Sequence, residues 1–286
     1  MLRADNPGPM TLDGTRSYVL RAPGAASCVV VDPGPPLEPH LAALAGAGQV
    51  VLALVTHRHA DHTGGLARFR ELTGAPSRGA LPEFSKGGAD GAPVEPLSDG
   101  EVLTVAGLRI EVLGTPGHTA DSVCFVVSVP GGPGGVGGSG AAVGAASGEA
   151  TGAASGTVVL TGDTVLGQGT TVLAEPDGSL RDYLASLDRL SALDLPGPVL
   201  GLPGHGPVIP DLRTAVRAYR EHRLERLNQV RSALASLGAE LPDAAASLPD
   251  PLLDEVTGAV YADVDPSVLG AARSSVRAQL EYLRGR

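Results

Sequence analysis

The 286-residue chain has no tryptophan, three phenylalanines, five tyrosines, two cysteines and, at Lys86, a single lysine. So few aromatics give little of the stacking platform that single-strand nucleic-acid binders use. Two cysteines make no disulfide framework; Cys28 and Cys124 each lie in an apolar run and read as small buried hydrophobes. No aliphatic run, Val50 to Val55 included, approaches the roughly 20 residues of a membrane helix. Residues Met1 to Pro9 lack the apolar stretch of a secretory signal, so a soluble, cytoplasmic protein is expected. Positive charge is also short, with 21 Lys+Arg against 31 Asp+Glu and a formal net charge of −10. That balance argues against a broad nucleic-acid footprint and leaves only a local basic groove open.

What is present is enough apolar material, 43% of residues, for a buried core. The length suits one large domain or a domain with an appendage. Ser17 to Arg21 and Ser27 to Asp32 read as a strand pair around Pro23-Gly24, and Leu37 to Gly46 as a short helix. Val50 to Thr56 is a continuous buried strand. A helix is expected over Thr63 to Leu72, with Leu66, Phe69 and Leu72 on one face and Gly74 as its stop. Two short strands flank Gly107, and Ser122 to Val129 and Thr157 to Thr161 are two more. Between those last two, Pro130 to Gly156 is almost all Gly, Ala and Ser and reads as a flexible surface loop. From Asp211 apolar residues recur at helical spacing, which predicts a catalytic unit over 1–210 and a helical appendage over 211–286.

The chemistry is concentrated in Thr56-His57-Arg58-His59-Ala60-Asp61-His62, a loop between a buried strand and a helix. In extended backbone His57 and His59 share a side, and the turn into the helix brings Asp61 and His62 round to the same cavity. Clustered imidazoles and carboxylates are what borderline divalent cations bind. Three further strand ends carry a ligand type: His118 after Leu113-Gly114, Asp163 after Thr161-Gly162, and His205 between Gly204 and Gly206. A lone Gly-His or Gly-Asp turn is usually only a turn. Their recurrence beside the first cluster gives them weight.

An early Asp32, then H-x-H-x-D-H at 57–62, then His118, Asp163 and His205 in that order, resembles the metallo-β-lactamase superfamily. Asn6-Pro7-Gly8-Pro9-Met10-Thr11-Leu12-Asp13-Gly14-Thr15, the Gly162 to Thr171 and Pro203 to Ile209 segments, and Tyr219-Arg220-Glu221-His222-Arg223 are similar to its beta-lactamase-like-protein-2 branch. The resemblance implies an α/β, four-layer αββα sandwich with the metal loops along one edge, and a C-terminal helical, truncated winged-helix-like appendage. It implies that His57, His59 and His118 hold one metal, that Asp61, His62 and His205 hold the second, and that Asp163 bridges them. Asp32 would brace the loops without touching metal. His40 and His222 fall outside the set and are expected to be structural or exposed.

Nitrogen-rich ligands with carboxylates suit two Zn(2+) per chain, with iron or manganese as the other options. Diiron flavoprotein relatives carry Glu where this chain has His59, which weighs against a redox site; the iron sulfur-dioxygenase branch shares much of the pattern. Two neighbouring cations acidify a shared water. The resulting bridged hydroxide is expected to attack an ester or thioester carbonyl, with Asp61 steering it or collecting a proton. Arg16, where the branch usually has Asn, is a candidate contact for an anionic substrate group, with Gln168 and Thr170 as further candidate substrate contacts. The preferred reading is a hydrolase of a small ester or thioester. The alternatives are a single-strand endoribonuclease, which would draw on the arginines of residues 213–231, and a non-enzymatic metal-binding protein. A homodimer is the base-rate expectation.

Overall fold

A computed structural model describes residues 1–88, 90–130, 156–174 and 177–285. The expected Gly/Ala/Ser loop lies outside the described residues except at its ends. β1 (Leu2–Arg3), β2 (Arg16–Leu20), β3 (Ser27–Val31), β4 (Gln49–Leu54) and β5 (Ser77–Arg78) form one sheet in that order. Its first two pairings are antiparallel and the last two parallel. α1 (Glu38–Ala45), the single turn α2 (Ala60–Thr63) and α3 (Leu66–Thr73) connect its strands. β6 (Val102–Val105), β7 (Leu108–Gly114), β8 (Val123–Ser128), β9 (Thr157–Gly162) and β10 (Leu200–Pro203) form the second sheet, ordered β10-β9-β8-β7-β6. α4 (Leu180–Ser191), α5 (Leu212–Leu237), α6 (Asp250–Val260) and α7 (Leu269–Leu283) complete the chain.

Period-two alternation sets the layers, because successive side chains of a strand face opposite ways. Along β3, Val29 and Val31 meet Val112, Phe125 and Leu160 of the second sheet, while Cys28 and Val30 pack on Leu41, Leu44 and Phe69 of α1 and α3. Along β8, Phe125 faces the first sheet, and Cys124 and Val126 pack under α4 and α5. The result is helix, sheet, sheet, helix, the expected sandwich. Each fully buried aliphatic side chain contributes about 1.5–3 kcal/mol, so Leu54→Ala at the inner face costs about 2–5 kcal/mol once its cavity is counted.

One expected face is revised. Leu66 and Phe69 are buried, but Leu72 is 36% exposed. A three-residue step lags a full helical turn by about 60°, so the third residue of such a series has rotated off the core. Gly74 does end the helix, in the left-handed conformation. In the C-terminal part, Leu212, Val216, Tyr219 and Leu227 of α5 join the same apolar cluster as α4, and Val230 and Leu234 pack with α6 and α7. No helix among the described residues is long and apolar enough to cross a membrane.

Loops at the carboxyl ends of β3, β4, β7, β9 and β10 gather where the two sheets meet. Backbone bonds lock that seam: Arg16 N–H donates to the Gly204 carbonyl (2.8 Å) and Val123 N–H to the Thr56 carbonyl (2.8 Å).

Candidate metal centre

The loop between β4 and α2 carries four potential ligands. Extended backbone puts His57 Nε2 and His59 Nδ1 3.0 Å apart, and the helical turn brings Asp61 Oδ2 to 3.3 Å from His62 Nε2. Asp32 holds this loop from below. Its Oδ1 accepts from Thr56 N–H (2.8 Å), and its Oδ2 accepts from the Thr56 hydroxyl (2.7 Å) and His62 Nδ1 (2.9 Å). With its proton given to Asp32, the Thr56 hydroxyl accepts from His57 Nδ1 at 3.0 Å. Both imidazoles thereby turn Nε2 toward the cluster. Asp32 has a φ of 50°, a left-handed conformation uncommon for a non-glycine residue, and its three accepted bonds hold it there.

The other ligands come from three separate turns. His118 follows Gly117, whose φ is 129° and whose missing Cβ would lie 2.4 Å from the Tyr183 backbone. The Val172 carbonyl accepts from His118 Nδ1 (2.9 Å), which turns Nε2 to within 3.0 Å of His59 Nδ1. Asp163 Oδ2 lies 3.3 Å from His205 Nε2 and 3.7 Å from His118 Nε2, while its Oδ1 lies 3.5 Å from His62 Nε2. His205 Nε2 is 3.2 Å from Asp61 Oδ2. The ligand atoms thus form two groups, His57, His59, His118 and Asp163, and Asp61, His62 and His205, each within 4.8 Å of one another. Asp163 belongs to the first and reaches the second.

Burial, with the nearby His62 charge adding to it, holds His57, His59 and His118 below the ordinary imidazole value. Burial also opposes charge on His62 and His205, but Asp163, with Asp32 and Asp61, outweighs it. His62 is raised well above its usual value and His205 to about 9. Burial alone would raise Asp61 and Asp163, yet His62 and His205 hold both far below the usual carboxylate range. Three neutral imidazoles therefore aim nitrogens at one another, and two carboxylates lean on protons carried by histidines. Positive charge in the cluster would relieve both conditions. Two further observations fit a cation: Asp163 Oδ1 is buried with no hydrogen-bond partner, and a Cβ at Gly204 would lie 2.3 Å from it and 2.7 Å from His62 Cε1. The chain leaves that space open.

Comparison with known proteins agrees. The model of the metallo-beta-lactamase superfamily matches residues 10–131. An atrochrysone carboxyl ACP thioesterase of Aspergillus fumigatus is 30% identical over 272 residues, covering 91% of this chain and 73% of that protein. The chain belongs to the metallo-beta-lactamase superfamily. A beta-lactamase-like protein 2 homolog of Caenorhabditis elegans is 28% identical, covering 97% of this chain and 81% of its own. The crystal structure of a metallo-beta-lactamase family protein from Thermus thermophilus has the same fold, with a TM-score of 0.67, 24% identity, and coverage of 99% of this chain and 92% of that one. As a superfamily member with this ligand set, the chain is a metal-dependent hydrolase.

The superfamily fold does not bring all the expected substrate contacts together. Gln168 and Thr170 line a cavity that reaches His118 and Asp163. Arg16 lines a different one, beside Arg3, Leu37 and His40. Its guanidinium, 10% exposed, bonds the Asp13 carboxylate and the Gly206 carbonyl, so it steadies the loop after His205 and has little free edge for an anion. His40 is buried and bonds the Ser17 hydroxyl (2.9 Å), and His222 is half-buried.

Sequence reasoning missed the clamp on residues 163–172. Arg223 of α5 is buried, lies 5.1 Å over the Tyr183 ring, and donates to the Thr171 carbonyl. The Tyr219 hydroxyl accepts from Leu166 N–H (3.0 Å) and donates to its carbonyl (3.2 Å). Tyr183 donates to the Thr164 carbonyl (2.6 Å), and the Thr171 hydroxyl to the Asp163 carbonyl (2.6 Å). This segment carries both Asp163 and the carbonyl that orients His118. Burial among the charges of α5 was the signal: Arg223 falls four residues after Tyr219, on the same apolar stripe.

Proposed function

We propose that the chain is a dinuclear zinc hydrolase that cleaves a small thioester. The observation that carries this reading is the convergence of two ligand groups on one carboxylate, Asp163, beside a cavity that has room for an acyl group. His57, His59 and His118 would hold one cation and Asp61, His62 and His205 the other, with Asp163 shared. Five imidazoles with two carboxylates suit zinc over harder cations. When bound, such a pair acidifies water and polarises a carbonyl oxygen. In the overall reaction water adds to the carbonyl carbon, the C–S bond breaks and the thiol leaves with a proton. Asp61, held by Thr15 and a quarter exposed, would steer the water or collect its proton. Gln168 and Thr170 would orient the substrate. Residues 1–210 would then be the catalytic unit, and 211–286 the appendage that steadies it through α5.

The thioesterase names of relatives such as the Aspergillus protein support a thioester over a phosphodiester. So does the fate of the arginines on α5. Arg213 bonds the Leu193, Leu195 and Gly197 carbonyls, Arg217 bonds Thr214 and Arg220 pairs with Asp188. Arg226 covers the Tyr261 ring and Arg231 bonds Asn228. Arginines engaged this way make a poor track for a nucleic-acid backbone.

The test assays a zinc-loaded preparation against short acyl thioesters and a labelled single-stranded RNA, and counts by plasma mass spectrometry the metals of the protein as purified. Thioester turnover, two zinc ions per chain and loss of activity in His59→Ala are expected. RNA cleavage that vanishes in the same variant, or one iron per chain, would overturn the reading.

A further inference from the structure

The cavity beside His118 and Asp163 is about 280 Å³, and its apolar walls come from three distant stretches. Met10 and Leu12 stand on the N-terminal loop, Leu166 and Val172 on the loop after β9, and Val268 and Ala271 at the entrance to α7. Apart from the ligands, its polar side chains are the neutral Gln168, Thr170 and Thr171, and no Lys, Arg or Glu lines it among the described residues. Met10, at 54% exposure, leaves apolar surface in solvent at the cavity. Such surface beside a reaction centre marks a binding site for apolar matter. At the ~30 Å³ that a water-sized group takes in a liquid, the space holds roughly nine non-hydrogen atoms.

We propose that this cavity is the acyl site and selects an uncharged, apolar acyl group of about four to eight carbons, or one aromatic ring. Val268 and Ala271 set the length limit. The inference rests on the thioesterase reading and adds the substrate's acyl class to it. Away from the ligand cluster, an ionised acyl group would lose its hydration with no Lys or Arg side chain to meet it. Part of the wall comes from the appendage, so α7 would contribute to specificity although it carries none of the candidate metal ligands.

The test separates the two readings by measuring binding as well as turnover. S-alkyl thioethers of pantetheine, which cannot be hydrolysed, are titrated calorimetrically into the protein as purified, with chains from two to sixteen carbons. The matching acyl-pantetheine thioesters are assayed in parallel. Affinity is expected to rise roughly three- to fourfold per CH₂ up to about eight carbons and to fall by twelve. Ala271→Leu is expected to lower the ratio of eight-carbon to four-carbon affinity at least tenfold with the metal content unchanged. Val268→Phe serves if that variant does not fold. A flat series, a rise continuing through sixteen carbons, or an unchanged ratio in a folded variant would overturn the proposal. Thioether binding with the expected optimum but no thioester hydrolysis would remove the proposed reaction and leave the acyl-sized cavity standing.

Discussion

The loop after β4 and the three loops after β7, β9 and β10 supply the same kind of ligand, but they are held by different means. The first packs four candidate ligands into six residues, and one carboxylate, Asp32, fixes them through Thr56 and His62. The second set spans residues 118 to 205 and has no such single brace. Its parts are steadied by a helix–loop clamp in which Tyr183, Tyr219 and Arg223 hold the backbone of residues 164–171. A locally encoded ligand cluster can rest on one buried side chain. A dispersed one depends on the packing of the whole second half.

The variant expected to act most strongly abolishes the distinction, because Asp163 serves both groups. Asp163→Asn removes the carboxylate that lies 3.3 Å from His205 and 3.5 Å from His62. Turnover should fall on the order of 10³-fold, the size of a broken buried charge pair, with metal content below one ion per chain. Retention of both zinc ions would show that the two groups are independent.

A pair of variants sharpens the comparison further. Asp32→Asn should weaken metal binding about 10- to 100-fold in a chelator competition, since it removes the acceptor that orients two ligand residues. Arg223→Met should cost about 1.5–3 kcal/mol in a denaturant titration and weaken metal binding less than tenfold, because the load is shared with Tyr219 and Tyr183. If the two variants were equally harmful to metal affinity, the contrast between brace and clamp would be wrong.

The smallest expected effect is on pH dependence. In the metal-stripped protein His62 and His205 bind protons more tightly than in the unfolded chain, His205 up to about 9. The stabilisation they provide is therefore complete below the ordinary value of 6.5 and is lost as pH rises through about 9. A bound cation would displace those protons and remove the dependence over that range. The melting temperatures of loaded and stripped protein should separate between these limits, by roughly 2–4 °C for each kcal/mol lost. Parallel melting curves would show that the histidines are not charged in the stripped form.

The same contrast explains what could be read from the residues alone. His57, His59, Asp61 and His62 stood out because their geometry is local: two residues of extended chain and one helical turn. His118, Asp163 and His205 stood at ordinary glycine turns, and only their order, through a family resemblance, gave them weight. The two sheets were legible in the alternation of β3 and β8, whereas Leu72 misled because three-residue spacing drifts off a helix face. The partners of Arg16 and Arg223 were not legible for a common reason. Those partners, Gly206 and Thr171, lie 190 and 52 positions away, and a local pattern such as the apolar stripe that carries Arg223 signals burial without naming the partner.

Asn6 fixes the direction of a short relay. Its side-chain oxygen accepts from Thr15 N–H (2.9 Å), so its amide nitrogen must donate to the Thr15 hydroxyl (2.9 Å). That hydroxyl, already receiving one hydrogen, has its own left for Asp61 Oδ2 at 2.9 Å. One oxygen of Asp61 is thus permanently engaged from the N-terminal side. A recombinant form that began after Thr15, or an affinity tag that pulled this segment away, would remove that bond and leave Asp61 less firmly placed, and such a preparation would understate the protein's metal content.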